Sequence, residues 1–189
     1  GYMPNMINIL SKLFLSSLLT FFVSARVLAD IIPFDPDASL RLINVSPSDE
    51  WNTHVALTKP GLTDEEIEIA KKALRDGDFD KVKALAAEGV SKQPRDFKTH
   101  MLLCFAYIGN NDTQSLKNHI AELESQLPDF AVAILINLAN YYVENQQYHR
   151  ATDILHRLES PNVTTFGDEK KLLLGRIYEA QRKNDLAIS

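Results

Sequence analysis

Leu138-Ala139-Asn140-Tyr141-Tyr142 follows Leu103-Cys104-Phe105-Ala106-Tyr107 by 35 residues and precedes Leu174-Gly175-Arg176-Ile177-Tyr178 by 36. A fainter copy, Ile69-Ala70-Lys71-Lys72-Ala73, stands 34 residues before the second. In each, a small residue (Ala70, Cys104, Ala139, Gly175) follows a large apolar one, and three of the four close on Tyr. Twelve residues beyond each small residue comes another apolar one: Val82, Leu116, Ala151 and Ala187. A period in this range identifies units that cannot bury their apolar faces alone and must stack.

Working outward, each segment lies in a helical pattern. Thr63-Asp64-Glu65-Glu66 places Thr three residues before Glu, which predicts a capping box. Ile67, Ala70 and Leu74 continue at helical spacing, and Gly77 is placed to close the helix. A second helix is predicted from Phe79, with Val82, Leu85, Ala86, Gly89 and Val90 on one face. Pro94 and Pro128, 34 residues apart, are each expected to terminate a helix. Composition agrees with an all-α protein. Seven Gly and eight Pro in 189 residues are too few turn-formers for many short strands. At 45% hydrophobic and 24% charged the chain is neither disordered nor a polytopic membrane protein. One cysteine, Cys104, excludes an intramolecular disulfide framework and a four-cysteine zinc site. A net charge of −5 argues against nucleic acid as a partner.

These segments resemble the tetratricopeptide-repeat family, whose unit carries Leu-Gly-x-x-Tyr in its first helix, an Ala in its second and a closing Pro. Leu174-Gly175-x-x-Tyr178 with Ala187 is the fullest match, and Leu138-Ala139-x-x-Tyr142 with Ala151 is close. The resemblance spans 63–189 and implies an α-solenoid of about three and a half helix hairpins, the last cut short at Ser189. Asp185-Leu186-Ala187-Ile188 is expected to start its second helix, so the sequence reads as part of a longer protein. The small residue lets paired helices approach, so Gly, Ala and Cys all serve.

The N-terminal 29 residues hold no acid. Lys12, an apolar run from Leu13 to Val23 and a small-residue exit at Ala29 form the pattern of a secretory signal peptide. Cleavage after Ala29 is expected, with an uncleaved inner-membrane anchor facing the periplasm as the alternative. Residues 30–62, with Pro33, Pro36, Pro47 and Pro60, read as an extended lead-in with a short helical turn near Ser48–Trp51, either packing Trp51 on the first repeat or serving as a mobile linker.

His149, Asp153 and His156 share a helix face, as zinc ligands would, but their register places them outward between Arg150 and Arg157, which disfavours a cation. His100 and Cys104 are four apart, yet Cys104 occupies the small-residue slot and is expected to be buried and inert. No catalytic residue, metal ligand or cofactor site is expected. The resemblance implies instead a concave groove lined by the first helices. By register it includes Ile67, Lys71, Met101, Phe105, Ile136, Asn140, Leu172 and Arg176. Apolar residues stand where a carboxylate clamp would want Lys, so an amphipathic helix or extended peptide suits it better. Packing against the lead-in or further repeats is the competing use of the same face. The resemblance, with the export pattern, implies a non-catalytic, protein- or peptide-binding scaffold of the bacterial envelope, in the periplasm, serving outer-membrane, secretion or polysaccharide-export assembly. The alternative is the docking arm of a larger exported enzyme whose catalytic domain lies beyond Ser189.

Overall fold

The boundaries of the helices are set by local hydrogen bonds that the sequence encodes. Thr63 Oγ1 accepts from the Glu66 amide (3.2 Å) while Glu66 Oε2 accepts from the Thr63 amide (2.8 Å), the reciprocal cap that starts α2, Asp64–Asp76. That bond to the backbone holds the Glu66 carboxyl below its usual range. Gly77 ends α2 at φ 77, and the next amide, Asp78, reaches back to the Ala73 carbonyl at 2.9 Å. The same turn recurs in phase. Asn111 takes φ 55 with Asp112 N–H bonded to Tyr107 O (2.8 Å), and Gln146 takes φ 59 with Gln147 N–H bonded to Tyr142 O (2.8 Å). The accepting residues Ala73, Tyr107 and Tyr142 are the closing positions of the repeated segments.

The computed structural model describes residues 34–43, 60–159 and 166–188. The expected signal segment, the turn near Ser48 and Trp51 lie outside these. Among the described residues there are eight helices and no strand. Besides α2 they are α1 (Pro36–Ile43), α3 (Phe79–Lys92), α4 (Phe97–Gly109), α5 (Thr113–Gln126), α6 (Pro128–Glu144), α7 (Tyr148–Leu158) and α8 (Gly167–Ile188). From α2 onward each helix packs on the next, and α2, α4, α6 and α8 also pack on one another in order. The core runs between them. Ala70, Cys104 and Ala139 have no exposed surface, and neither do Val82 and Ala151, while Leu116 is nearly buried. At Gly109 a Cβ would stand 2.2 Å from the Phe79 ring, so the end of α4 and the start of α3 approach as closely as a glycine allows.

Three expectations are corrected. The lead-in is not extended throughout, because Pro36 opens α1. Proline is well placed at a first helical position, where its missing amide costs nothing, and Asp35 Oδ1 caps the amides of Asp37 (2.9 Å) and Ala38 (3.1 Å). Pro128 likewise begins α6 rather than ending α5, which has already stopped at Gln126. Finally, α8 runs unbroken to Ile188, so no second helix starts at Asp185. The turn position there falls on Arg182, and a left-handed residue with a Cβ costs about 1–2 kcal/mol. No helix packs against Gly175 to offset it, since a Cβ there would meet nothing within 4 Å.

Candidate functional site

One face of α2, α4 and α6 is occupied by α1, which packs on all three. Its apolar side, Ala38, Ser39, Leu42 and Ile43, is buried. Ser39 tolerates this because its hydroxyl donates to the Pro36 carbonyl at 2.7 Å. Three residues of α6 spaced i, i+4 and i+7 hold the segment, as one helix face should. Asn137 Nδ2 donates to the Leu42 carbonyl (3.0 Å), the Tyr141 hydroxyl accepts from the Asp35 amide (2.9 Å), and Glu144 Oε2 pairs with Arg41 (3.1 Å). Tyr141 is fully buried, its ring 5.0 Å from that of Phe105, and burial pushes its hydroxyl up to about 12. It therefore stays a neutral phenol whose oxygen serves the backbone.

This placement changes the reading of the expected groove. Ile67, Met101, Phe105 and Ile136 are buried rather than open to a ligand. Burial removes them as a free apolar wall, since a side chain already covered on folding gains little more on binding. Lys71 is half-buried and pairs with Glu68 at 2.7 Å. Asn140 and Arg176 are brought together, the guanidinium donating to Asn140 Oδ1. Leu172 is exposed, on the open side of α8. Beyond α1, a cleft of about 270 Å³ lies between α6, α7 and α8, with Val143, Arg176, Glu179 and Lys183 in its lining. Sequence reasoning missed Asn137, Tyr141 and Glu144. They lie one position round α6 from Ile136, Asn140 and Val143, and only the unforeseen α1 distinguishes the two sets.

The reactive candidates have structural explanations. Cys104 is fully buried and its thiol is pushed up to about 12 by desolvation, so no thiolate forms at neutral pH. His100, its supposed partner, spends Nε2 on the Pro94 carbonyl (2.8 Å) and Nδ1 on His119 Nε2 (3.0 Å). A carbonyl only accepts, so His100 is protonated on Nε2 and His119 Nε2–H donates to His100 Nδ1. His149 meets Asp153 at 3.5 Å and His156 meets Glu159 at 3.3 Å, all exposed. Among the described residues no group of three or more His, Cys, Asp or Glu is placed to hold a metal ion. Comparison with known proteins finds no matching family model, curated protein or solved structure.

Proposed function

We propose that the chain is a non-catalytic protein-interaction scaffold, an α-solenoid of tetratricopeptide-like repeats whose first helices receive a short helix or peptide. The observation that carries this reading is α1 itself, a short amphipathic helix seated on α2, α4 and α6 by polar contacts near both its ends. Support for the solenoid comes from the in-phase left-handed residues Gly77, Asn111 and Gln146 and from the serial packing of α2, α4, α6 and α8. Stacked repeats build extended binding faces from such rows. The acid-free leader with its apolar run supports export to the bacterial envelope. Among the described residues no helix is long and apolar enough to cross a membrane.

Photo-crosslinking in the native host tests the proposal. A crosslinking residue at Lys71, Asn140 or Arg176 is expected to give one common partner adduct, and the same residue at His149 none. Adducts formed equally well from His149, or none from the first-helix row, would overturn it. Mature protein starting at Asp30 in a soluble envelope fraction is expected from the export reading. An intact leader in the membrane pellet would instead support the anchor.

A further inference from the structure

Leu173 and Ile177 are buried where α8 packs on α6 and α7, and the opposite face of α8 is open. On it Leu172 is 69% exposed and Tyr178 63%, the two most exposed large apolar side chains among the described residues. Midway between them stands Gly175, where a Cβ would meet nothing within 4 Å. A glycine inside a helix costs stability, and nothing within the chain uses the space it leaves. Its use is to let a second backbone come close.

The side chains of this face form a palindrome about Gly175. Leu172 lies three residues before it and Tyr178 three after, Lys171 four before and Glu179 four after, Asp168 seven before and Arg182 seven after. Spacings of three, four and seven put them all on one side of the helix, and all are exposed. A second copy of the helix laid antiparallel across Gly175 sets Asp168 against Arg182, Lys171 against Glu179 and Leu172 against Tyr178, each pairing made twice. A parallel copy in register would set every charge against its like. Self-complementarity of this kind is what a two-fold interface requires.

We infer that α8 pairs with α8 of a second copy of this chain, antiparallel and crossing at Gly175, so that the protein forms a two-fold dimer. The pairing is independent of what the first helices bind. Asp168 to Arg182 spans about 21 Å of helix, which places the contact at the low end of interface size. The dimer therefore forms at micromolar concentration and comes apart on dilution.

Analytical ultracentrifugation of the full chain, from micromolar to submillimolar concentration, tests this. A reversible monomer–dimer equilibrium is expected. Gly175→Leu meets no atom of its own chain and favours the helix, yet its side chain holds the two backbones apart. It is expected to weaken the dimer about tenfold or more, with an unchanged circular dichroism spectrum. Lys171→Glu and Glu179→Lys should each weaken it as well, since each sets like charges together at two places. Combining both in one chain should restore the dimer, and mixing the two single variants should give a heterodimer. A chain that stays monomeric throughout overturns the inference, as does association unaltered by Gly175→Leu. A double variant no tighter than the singles overturns the antiparallel register. Ile69, at the other end of the stack, is also partly exposed. Species larger than a dimer that vanish with Ile69→Lys would mean that α2 of one copy stacks on α8 of the next, and would overturn the two-fold pair.

Discussion

Acid should weaken this fold through His119 well before its carboxylates titrate. His119 is pushed from 6.5 down to about 4 by burial and by the neighbouring His100 ring. His100 is itself lowered by burial, against the pull of its bond to Pro94 and of Asp96 and Glu122. The geometry explains the cost. His119 Nε2–H donates to His100 Nδ1, so a first added proton can go to His119 Nδ1 with that bond kept, while a second would set two N–H donors against each other. Tyr107 also faces His119, at 6.2 Å between rings. A base with a depressed folded pKa contributes stability that is fully present above its unfolded pKa. It is lost as pH falls, because the unfolded chain then binds more protons. Between pH 7 and pH 5 a shift from 6.5 to about 4 is worth about 2 kcal/mol, rising to about 3 kcal/mol below pH 4. Most carboxylates stay ionised even in the unfolded chain at pH 5, so that interval isolates the histidines. Urea denaturation at half-unit steps of pH measures the slope. His119→Gln keeps a donor for His100 and is expected to remove at least half of it. His149→Gln, on the exposed face, should change nothing. An unaltered slope in His119→Gln would refute this account of the pair.

The remaining predictions concern the turns and the core. Gly77→Ala meets no atom but forces an alanine to φ 77, and should cost about 1 kcal/mol, the left-handed penalty less the entropy that alanine removes from the unfolded chain. Gln146→Gly reverses both terms and should gain about 0.5–1 kcal/mol by denaturant midpoint. Cys104→Ala should cost less than about 1.5 kcal/mol, whereas Cys104→Phe should cost about 1–3 kcal/mol or more, both read by thermal melting. Phe105→Ala should lower stability by about 3–5 kcal/mol, because it empties the fully buried site against Tyr141. A wild-type melt for Phe105→Ala would mean that the ring is not core.

Much of the helical plan was legible because its signals are local. The Thr63–Glu66 box, Gly77 and the buried slots at Ala70, Cys104 and Ala139 depend on neighbours within a turn or on a strict period. Asn111 and Gln146 were harder, since only their phase with Gly77 marks them as left-handed. The site was read less well for two physical reasons. Pro33 and Pro36 read as breakers by composition, although Asp35-Pro36 is also a cap followed by a first helical residue. Without α1, nothing local distinguishes Asn137, Tyr141 and Glu144 from the adjacent Ile136, Asn140 and Val143. Leu174-Gly175-x-x-Tyr178 shows the opposite failure. Its motif is intact, yet Tyr178 is 63% exposed, because a motif specifies a packing face without supplying the helix that fills it.

The bond from Tyr141 to Asp35 joins residues 106 apart in sequence, in a protein whose other helices settle mainly on their immediate neighbours. Neighbour packing closes short loops and proceeds quickly, whereas a distant pairing waits for both ends to exist. Synthesis runs from the N-terminus, so residues 34–43 emerge long before the helix that receives them. Their landing place is completed only when Glu144 has been made and α6 has folded on α4. During that interval the segment is an unseated apolar stretch, available to a chaperone or protease. Seating it is therefore a late step that reports completion of the central stack, and slow growth of protection at Ala38 and Ser39 would record it.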